Sequence, residues 1–353
     1  MDPMGKKVLI IRHTDRDGIV AAAVIQYSFT ERTKEPFSYK NEDFIDIGMN
    51  YDKPLSGLRI NPECYDMIYL VDYSISTDEN VECVLEWNKS TDVIWLDHHA
   101  SSIKMQNKYP ELKKIRGYRI NGISGAALAW IWYRYKDQFP SMAPSYHSYF
   151  EQKYLDDPEH VIPPKTVRNL LQLVQCPPLI KFTHRYDIWD HSPSDMTPIY
   201  FHYGYNPRNI AEVDPGDVLN PNISINTTAN YIREGSKRYD SIMKENMSIL
   251  KECGRKFTLK TPNKNLRGIA INRPRGSSLM FGEEAENYDI LCVFYFAESK
   301  WRVSLYTVSD YINCEEICIK MGGGGHRKAA GFTIDHLSDL PWVDKDEYIF
   351  EVK

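Results

Sequence analysis

The fold is indicated first by residues 93–99, VIWLDHH. The first four residues are apolar and include β-branched and aromatic side chains, which is typical of a short buried strand. The triplet Asp97-His98-His99 follows at the carboxyl end of that strand, the edge where open α/β sheets bind ligands. One carboxylate and two imidazoles suit a borderline or hard metal ion, with a spare acid or base beside it. Alone, the triplet could also be a polar turn.

Two further predicted strands end in residues of the same kind. An apolar strand directly precedes His13, Asp15 and Asp17, and another ends at Asp72. Because parallel strands end at one edge of a sheet, we expect these side chains to converge. They would repel one another without cations between them, and a pair of divalent metals explains the pattern. Capping of the following helix would explain either Asp15 or Asp17, but it is a weak explanation for His13, Asp15 and Asp17 together.

The other predicted elements alternate with these strands, which indicates an α/β fold with a parallel sheet. They are a possible strand at 44–47 and helices at 78–89, 126–135 and 167–174. Residues 138–164 are polar and contain Tyr and Pro, so we expect a surface excursion there. In 182–190, a helix or turn, either Asp187 or Asp190 could be a further metal ligand.

Composition limits the class of protein. A length of 353 residues favours two domains, and 42% hydrophobic with 26% charged residues is typical of a globular protein. The formal net charge of −5 argues against tight binding of long nucleic acid through phosphates and favours a short anionic substrate. The start lacks a signal-peptide core, no apolar run approaches a membrane span, and the seven cysteines form no CxxC pair, so we expect a cytoplasmic protein without a membrane partner.

The second half of the chain differs in composition. Residues 205–230 are rich in Pro and Asn and predict a linker, followed by a connecting helix at 231–251. Residues 251–275 are basic, which fits either a solvated face or a surface that attracts phosphate. Strands at 288–296 and 301–306 and a short helix at 311–321 complete this half.

A glycine-rich segment, residues 322–332, follows that helix. Its glycines let the backbone approach a ligand and expose amide hydrogens, and the side chains of His326 and Arg327 can donate to phosphate. A plain turn would not require these basic residues, so the segment predicts a phosphate-binding loop.

Taken together, these motifs resemble the DHH phosphoesterase family with its DHH-associated C-terminal domain. Five motifs occur in the family's order, and the resemblance spans nearly the whole chain outside 138–164 and 205–250. They are residues 13–18, Asp72, the triplet Asp97-His98-His99, Asp187 with Trp189, and residues 322–332.

The resemblance implies a fold and its domains. A Rossmann-like parallel-sheet DHH catalytic domain would span 1–204, and a linker with a connecting helix would span 205–250. A smaller α/β DHH-associated substrate-binding domain would span 251–353, with the metal site at the cleft between the two domains.

The resemblance also implies roles for the metal-site residues. His13 and Asp15 would hold one metal ion, and Asp17, His98 and Asp187 would hold the other, with Asp72 as the bridging ligand. In catalysis, Asp97 would orient a ligand of the metal site, and His99 would lie beside the phosphate as an acid or hydrogen-bond donor.

The substrate-binding residues implied by the resemblance lie in the C-terminal half. Many members carry an arginine where Tyr306 stands here, and Arg275 or Arg273 could take its place. The remaining candidates form the glycine-rich loop; they are Gly323, Gly324, Gly325, His326 and Arg327.

The implied function is a metal-dependent phosphodiesterase that hydrolyses short oligonucleotides or dinucleotides to mononucleotides, as a nanoRNase-like exonuclease. Two divalent ions, most often Mn²⁺ with Mg²⁺ or Co²⁺ as other choices, would share a nucleophilic hydroxide at a separation of ~3.5–4 Å. The alternatives are a RecJ-like single-strand exonuclease, a cyclic-dinucleotide phosphodiesterase and an inactive nucleotide-binding scaffold. Exposed edge strands make a homodimer a further expectation.

Overall fold

A computed structural model divides the chain into two compact units, residues 1–236 and 237–353. It describes residues 7–31, 43–50, 53–139, 144–192, 194–222, 225–261, 264–274 and 276–342. The long helix α10 (Ile225–Cys253) contains the division between the units.

The described part of the first unit contains a parallel sheet and the helices around it. Its strands are β1 (Val8–His13), β2 (Phe44–Met49), β3 (Met67–Val71) and β4 (Asp92–Leu96). Its helices before α10 are α1 (Arg16–Glu31), α2 (Asp78–Trp87), α3 (Ala100–Lys108), α4 (Gly125–Tyr135), α5 (Gln152–Leu155), α6 (Pro164–Leu173), α7 (Pro178–Asp187), α8 (Thr197–Gly204) and α9 (Pro215–Leu219).

Within the described ranges, the strand order of this sheet is β2-β1-β3-β4, and all neighbours are parallel. Strands β1, β3 and β4 are buried on both faces, which explains their nearly continuous apolar sequence, whereas the edge strand β2 is partly exposed. Side chains alternate between two cores: Ile10 and Leu96 pack with α1 and α4, whereas Leu9 and Trp95 pack with α2. The predicted parallel sheet is therefore confirmed.

Helices α1 and α4 pack closely because their facing residues are small. Ala21, Ala22 and Ala23 of α1 and Ala126 and Ala127 of α4 are all fully buried in one core. This packing brings the first turns of both helices to the carboxyl edge of the sheet, where β1 and β4 end.

The predicted linker at 205–230 is wrong for residues 205–222. Ile210, Val213 and Val218 are buried in the core of the first unit, and the hydroxyl of Tyr27 donates to the carbonyl oxygens of Ile210 at 3.1 Å and Val213 at 2.8 Å. Proline and asparagine do create turns here, but the apolar residues between them bury enough surface to hold the segment on α1.

The segment 138–164 also differs from the prediction of a surface excursion. Phe139, Phe150 and Ile162 are buried in the core that contains α1 and α4. Apolar residues too widely spaced to form a periodic pattern therefore anchor the described part of this segment, while Gln152, Lys153 and Glu159 are exposed.

The second unit contains a separate mixed sheet. Its described strands are β5 (Arg255–Lys260), β6 (Asn265–Asn272), β7 (Ile290–Ala297), β8 (Lys300–Tyr306), β9 (Gly324–His326) and β10 (Ala329–Ile334), in the order β5-β6-β7-β8-β10-β9. Only the β6–β7 pair of these strands is parallel. The helix α11 (Cys314–Ile319) packs on one face, and the end of α10 with residues 278–287 packs on the other. The predicted separate C-terminal α/β part is confirmed.

Among the helices of the described ranges, none combines the length and hydropathy needed to cross a membrane.

Candidate metal centre

The predicted ligands meet at the carboxyl edge of the parallel sheet. Strand β1 ends at His13, β3 leads directly into Asp72, and β4 leads into the triplet at 97–99. The first turn of α1 adds Asp17, and the last residue of α7 is Asp187. Residues from three strand ends and two helices thus converge, as the strand pattern predicts.

Three groups of these side chains are arranged so that they could hold a metal ion. Each residue offers one ligand atom, and the atoms of a group lie within 4.8 Å of one another. The groups are His13, Asp15 and Asp72; Asp17, His98 and Asp187; and Asp72, His98 and His99. The first two coincide with the two ligand sets that the resemblance implies.

Asp72 lies between the two sets. Its Oδ2 is 3.9 Å from Nδ1 of His13, and its Oδ1 is 3.2 Å from Nε2 of His98. His98 in turn lies 3.3 Å from Oδ2 of Asp187, and His13 lies 3.0 Å from Oδ2 of Asp15. One carboxylate therefore faces both sets, which is the geometry that a bridging ligand requires.

The electrostatics of the cluster favour bound cations. Burial and the nearby charge of Asp15 raise the pKa of Asp17 to about 7. Burial and the other aspartates hold the pKa values of Asp72 and Asp187 well above their usual range. Of the four aspartates in the three ligand groups, Asp15 alone has a lowered pKa. Desolvation opposes its ionisation, but the charge and the hydrogen bond of His13 outweigh this effect.

Crowded carboxylates of this kind ionise together only when positive charge lies between them. A bound divalent ion supplies that charge, and a mixed set of imidazole and carboxylate donors suits Mn²⁺ and similar metals. The residues present therefore fit two divalent cations.

The first turn of α4 supports the ligands from behind. The amide of Ala126 donates to both oxygens of Asp17, at 3.2 and 3.3 Å. A Cβ atom at Gly125 would lie 2.5 Å from Cβ of Asp72 and 2.9 Å from Oδ2 of Asp17, so only glycine fits there. This role of the turn is not predicted from the sequence, although Ser124-Gly125 directly before an apolar helix is a signal that could have indicated it.

Asp72 has an unusual backbone conformation, with a φ of +53°. Its amide donates to the carbonyl oxygen of Leu96 at 2.8 Å, which ties the end of β3 to the end of β4. Strained residues of this type persist only where the surrounding structure fixes them, and they are frequent at functional sites.

Asp97 positions His99. The Nδ1–H of His99 donates to Oδ1 of Asp97 at 2.7 Å, and the hydroxyl of Ser102 donates to the other oxygen. Although burial opposes it, the charge and hydrogen bond of His99 lower the pKa of Asp97 to about 2. Burial opposes protonation of His99 as well, but Asp97 raises its pKa. Asp97 thereby fixes the orientation of the His99 ring.

The structure distinguishes Asp187 from Asp190, the two alternative ligands in residues 182–190. Asp187 lies against His98, whereas Asp190 accepts a hydrogen bond from Nε of Arg185 at 3.0 Å. Asp187 is therefore the one that joins the ligand cluster.

His184, one turn before Asp187, is a further residue that sequence reasoning missed. It is fully buried, and its Nδ1 accepts a hydrogen bond from the amide of Ser124 at 3.2 Å. Burial, with a smaller contribution from Arg185, lowers its pKa to about 3, so it is neutral. His184 thus joins α7 to the turn that precedes α4.

In the second unit, the glycine-rich loop requires glycine for its backbone. Gly322 and Gly325 have φ values of +77° and +140°. The side chain of Arg327 donates to the carbonyl oxygen of Asp310 at 2.9 Å. Arg275 lies outside the described residues. The substrate-binding roles of Gly323, Gly324, Gly325, His326 and Arg327 stay predictions.

A parallel α/β sheet with a His–Asp ligand cluster at its carboxyl edge defines a metal-binding α/β domain. Residues 7–155 match the model of the DHH family, N-terminal domain. The predicted resemblance to the DHH family is confirmed for this segment. No curated protein matches the sequence.

Several solved structures are similar to this chain. The DHH domain of a member of the s1p family of ribosomal proteins is 14% identical with a TM-score of 0.50, over 93% of this chain and 82% of that one, and it shares the fold. The pGpG-specific phosphodiesterase PggH of Vibrio cholerae is 13% identical with a TM-score of 0.39, over 93% of both chains. RecJ of Thermus thermophilus, solved with Mn²⁺, is 15% identical with a TM-score of 0.41, over 94% of this chain and 50% of that one.

Proposed function

We propose that this protein is a phosphodiesterase that depends on two divalent metal ions and hydrolyses short oligonucleotides or dinucleotides to mononucleotides. The observation that carries the proposal is the junction of two ligand groups at Asp72, with His98 3.2 Å away. A single metal site would not need a buried carboxylate facing ligands on both sides.

The first ion would be held by His13, Asp15 and Asp72, and the second by Asp17, His98 and Asp187, with Asp72 facing both. Mn²⁺ is the ion we expect, because it accepts mixed nitrogen and oxygen ligands. When bound, such a pair of ions activates water and neutralises charge on phosphoryl oxygens.

The residues of the chain perform the remaining tasks. Asp97 fixes the ring of His99 through a 2.7 Å hydrogen bond and favours its protonated form, so His99 can donate a proton or hydrogen bond to a phosphate oxygen. The amide of Ala126 and the absence of a side chain at Gly125 keep Asp17 and Asp72 in place.

The net charge of the protein supports a short substrate. With 48 acidic and 43 basic residues, the protein has no overall excess of positive charge to hold a long polyanion. We assign recognition of the substrate phosphate to the glycine-rich loop, where His326 and Arg327 are the donors.

The test is a chromatographic product assay with Mn²⁺. It compares the dinucleotide pApA, a cyclic dinucleotide, phosphoadenosine phosphate, a 5-mer and a 20-mer. Asp72→Asn is the inactive variant. Asp92→Asn is the matched control, because the side chain of Asp92 is partly exposed and pairs with Arg116, which belongs to neither ligand group.

Turnover confined to the short substrates, lost in Asp72→Asn and kept in Asp92→Asn, supports the proposal. Activity mainly on the 20-mer would favour the RecJ-like exonuclease instead, and preference for the cyclic dinucleotide would favour that phosphodiesterase. No turnover of any substrate by protein with bound Mn²⁺ would favour the inactive scaffold.

A further inference from the structure

A cavity of about 300 Å³ lies in the first unit and takes no part in the metal centre. None of the proposed metal ligands lines it. Its lining includes Arg119, Gln106 and Lys113, together with Phe139 and Phe150 from the segment 138–164. This volume is at the lower end of the range for small-molecule sites.

The guanidinium of Arg119 has hydrogen-bond donors that no acceptor of the described residues satisfies. Its Nη1 donates to the carbonyl oxygens of Trp95 and Arg116, both at 3.3 Å, and its carbon lies 5.3 Å from the centre of the Trp95 ring. Within the described ranges, neither Nε nor Nη2 has an acceptor, and Nε is buried. Burial lowers the pKa of Arg119 to about 10, which still leaves it charged at neutral pH.

A buried N–H group without an acceptor, such as Nε of Arg119, is costly, and an anion beside it would remove that cost. The guanidinium fork matches the oxygens of a phosphate or carboxylate. The other cation of the wall, Lys113, is already paired with Asp156 at 2.7 Å. The charge of Asp97 also acts on Arg119, but both oxygens of Asp97 already accept hydrogen bonds from His99 and Ser102. The remaining donors of Arg119 therefore suit a ligand with a single anionic group.

The apolar part of the lining suits an aromatic ring. Phe139 and Phe150 meet edge to face with their ring centres 4.9 Å apart, and Leu155 also lines the cavity. A molecule with one anionic end and one flat apolar end would therefore match both the charged and the apolar residues of the lining.

We propose that this cavity binds a nucleoside monophosphate, with the phosphate on Arg119 and the base against Phe139 and Phe150. The volume excludes a longer oligonucleotide. Two lining residues, Tyr118 and Ile120, are hydrogen-bonded to the backbone of Asp97. The amide of Asp97 donates to the carbonyl oxygen of Tyr118 at 2.9 Å, and the amide of Ile120 donates to the carbonyl oxygen of Asp97 at 3.0 Å. This site does not depend on the proposed reaction.

Equilibrium dialysis of labelled AMP against Mn²⁺-loaded protein tests the proposal. Arg119→Gln should bind one AMP per chain fewer than the natural protein, or bind it at least 10-fold more weakly. Arg116→Gln is the matched control, because Arg116 lies on the same segment, is exposed and pairs with Asp92 at 2.6 Å. It should bind AMP like the natural protein.

Two further arms keep the result interpretable. Leu155→Trp fills the cavity without changing Arg119 and should also remove this AMP, even if Arg119→Gln unfolds. Asp72→Asn should retain the AMP that depends on Arg119, which separates this site from the metal centre. Inorganic phosphate should compete at higher concentration, and adenosine should not compete. Equal AMP binding by the natural protein, Arg119→Gln and Leu155→Trp, or equal binding of adenosine and AMP, would overturn the proposal.

Discussion

Gly125 gives the sharpest test of how the metal centre is supported. A Cβ atom there would lie 2.5 Å from Cβ of Asp72 and 2.9 Å from Oδ2 of Asp17. Apolar carbons normally approach to about 3.5–4.0 Å, so Gly125→Ala must push Asp72 or α4 aside by roughly 1 Å. Neither can yield easily, since Asp72 is bonded to Leu96 and α4 is packed on α1.

Two magnitudes follow from this displacement. Forcing a methyl group into a packed interior costs about 1–3 kcal/mol of the free energy of unfolding. A 1 Å displacement at a catalytic centre can cost about 100-fold in rate. We therefore expect Gly125→Ala to lose about 100-fold in kcat/KM on a dinucleotide and to bind Mn²⁺ more weakly, because Asp72 and Asp17 both shift.

The assay pairs urea unfolding with Mn²⁺ titration and dinucleotide hydrolysis. Gly57→Ala is the matched control, because a Cβ atom at Gly57 has no neighbour within 4 Å in the described structure. Activity and Mn²⁺ affinity within twofold of the natural protein in both variants would refute the reasoning.

Three other predictions follow from the same contacts. Asp97→Asn should lower kcat by at least 100-fold while two Mn²⁺ ions still bind, because His99 loses its orientation; loss of the ions would contradict a positioning role. The pKa of His184 is lowered to about 3 when folded, so its contribution to stability is present above its unfolded pKa of about 6.5 and is lost as pH falls. Urea unfolding should show that the free energy of unfolding falls less between pH 7 and pH 5 for His184→Asn than for the natural protein. An equal fall in both proteins would contradict this prediction. Asp46→Ala should lower the free energy of unfolding by about 1–3 kcal/mol without changing Mn²⁺ affinity, since it leaves Arg12, 6% exposed, without the carboxylate that it meets at 2.8 Å.

Much of the ligand cluster could be predicted from sequence because strand ends are local features. An apolar run followed by Asp or His fixes which residues reach the carboxyl edge, and the parallel order brings His13, Asp72 and His98 together. Asp187 and Asp190 lie in a helix or turn and not at a strand end, so the sequence leaves both as candidates, and only the contact between Asp187 and His98 decides between them.

Other features depend on contacts between distant segments. The role of Gly125 arises because α4 packs against α1, and no local pattern shows that the space at this glycine is already filled. The segment 205–222 has the composition of a linker, yet Tyr27 of α1 binds its backbone. Composition indicates where a chain turns, but not whether the turns pack on a neighbouring core.

Anomalous diffraction at the manganese edge from Mn²⁺-soaked crystals would show directly whether two metal ions share Asp72. We expect two anomalous peaks, both within bonding distance of Asp72, one of them also bonded to His13 and Asp15 and the other to Asp17, His98 and Asp187. A single peak, or two peaks that do not both contact Asp72, would show that Asp72 is not a shared ligand.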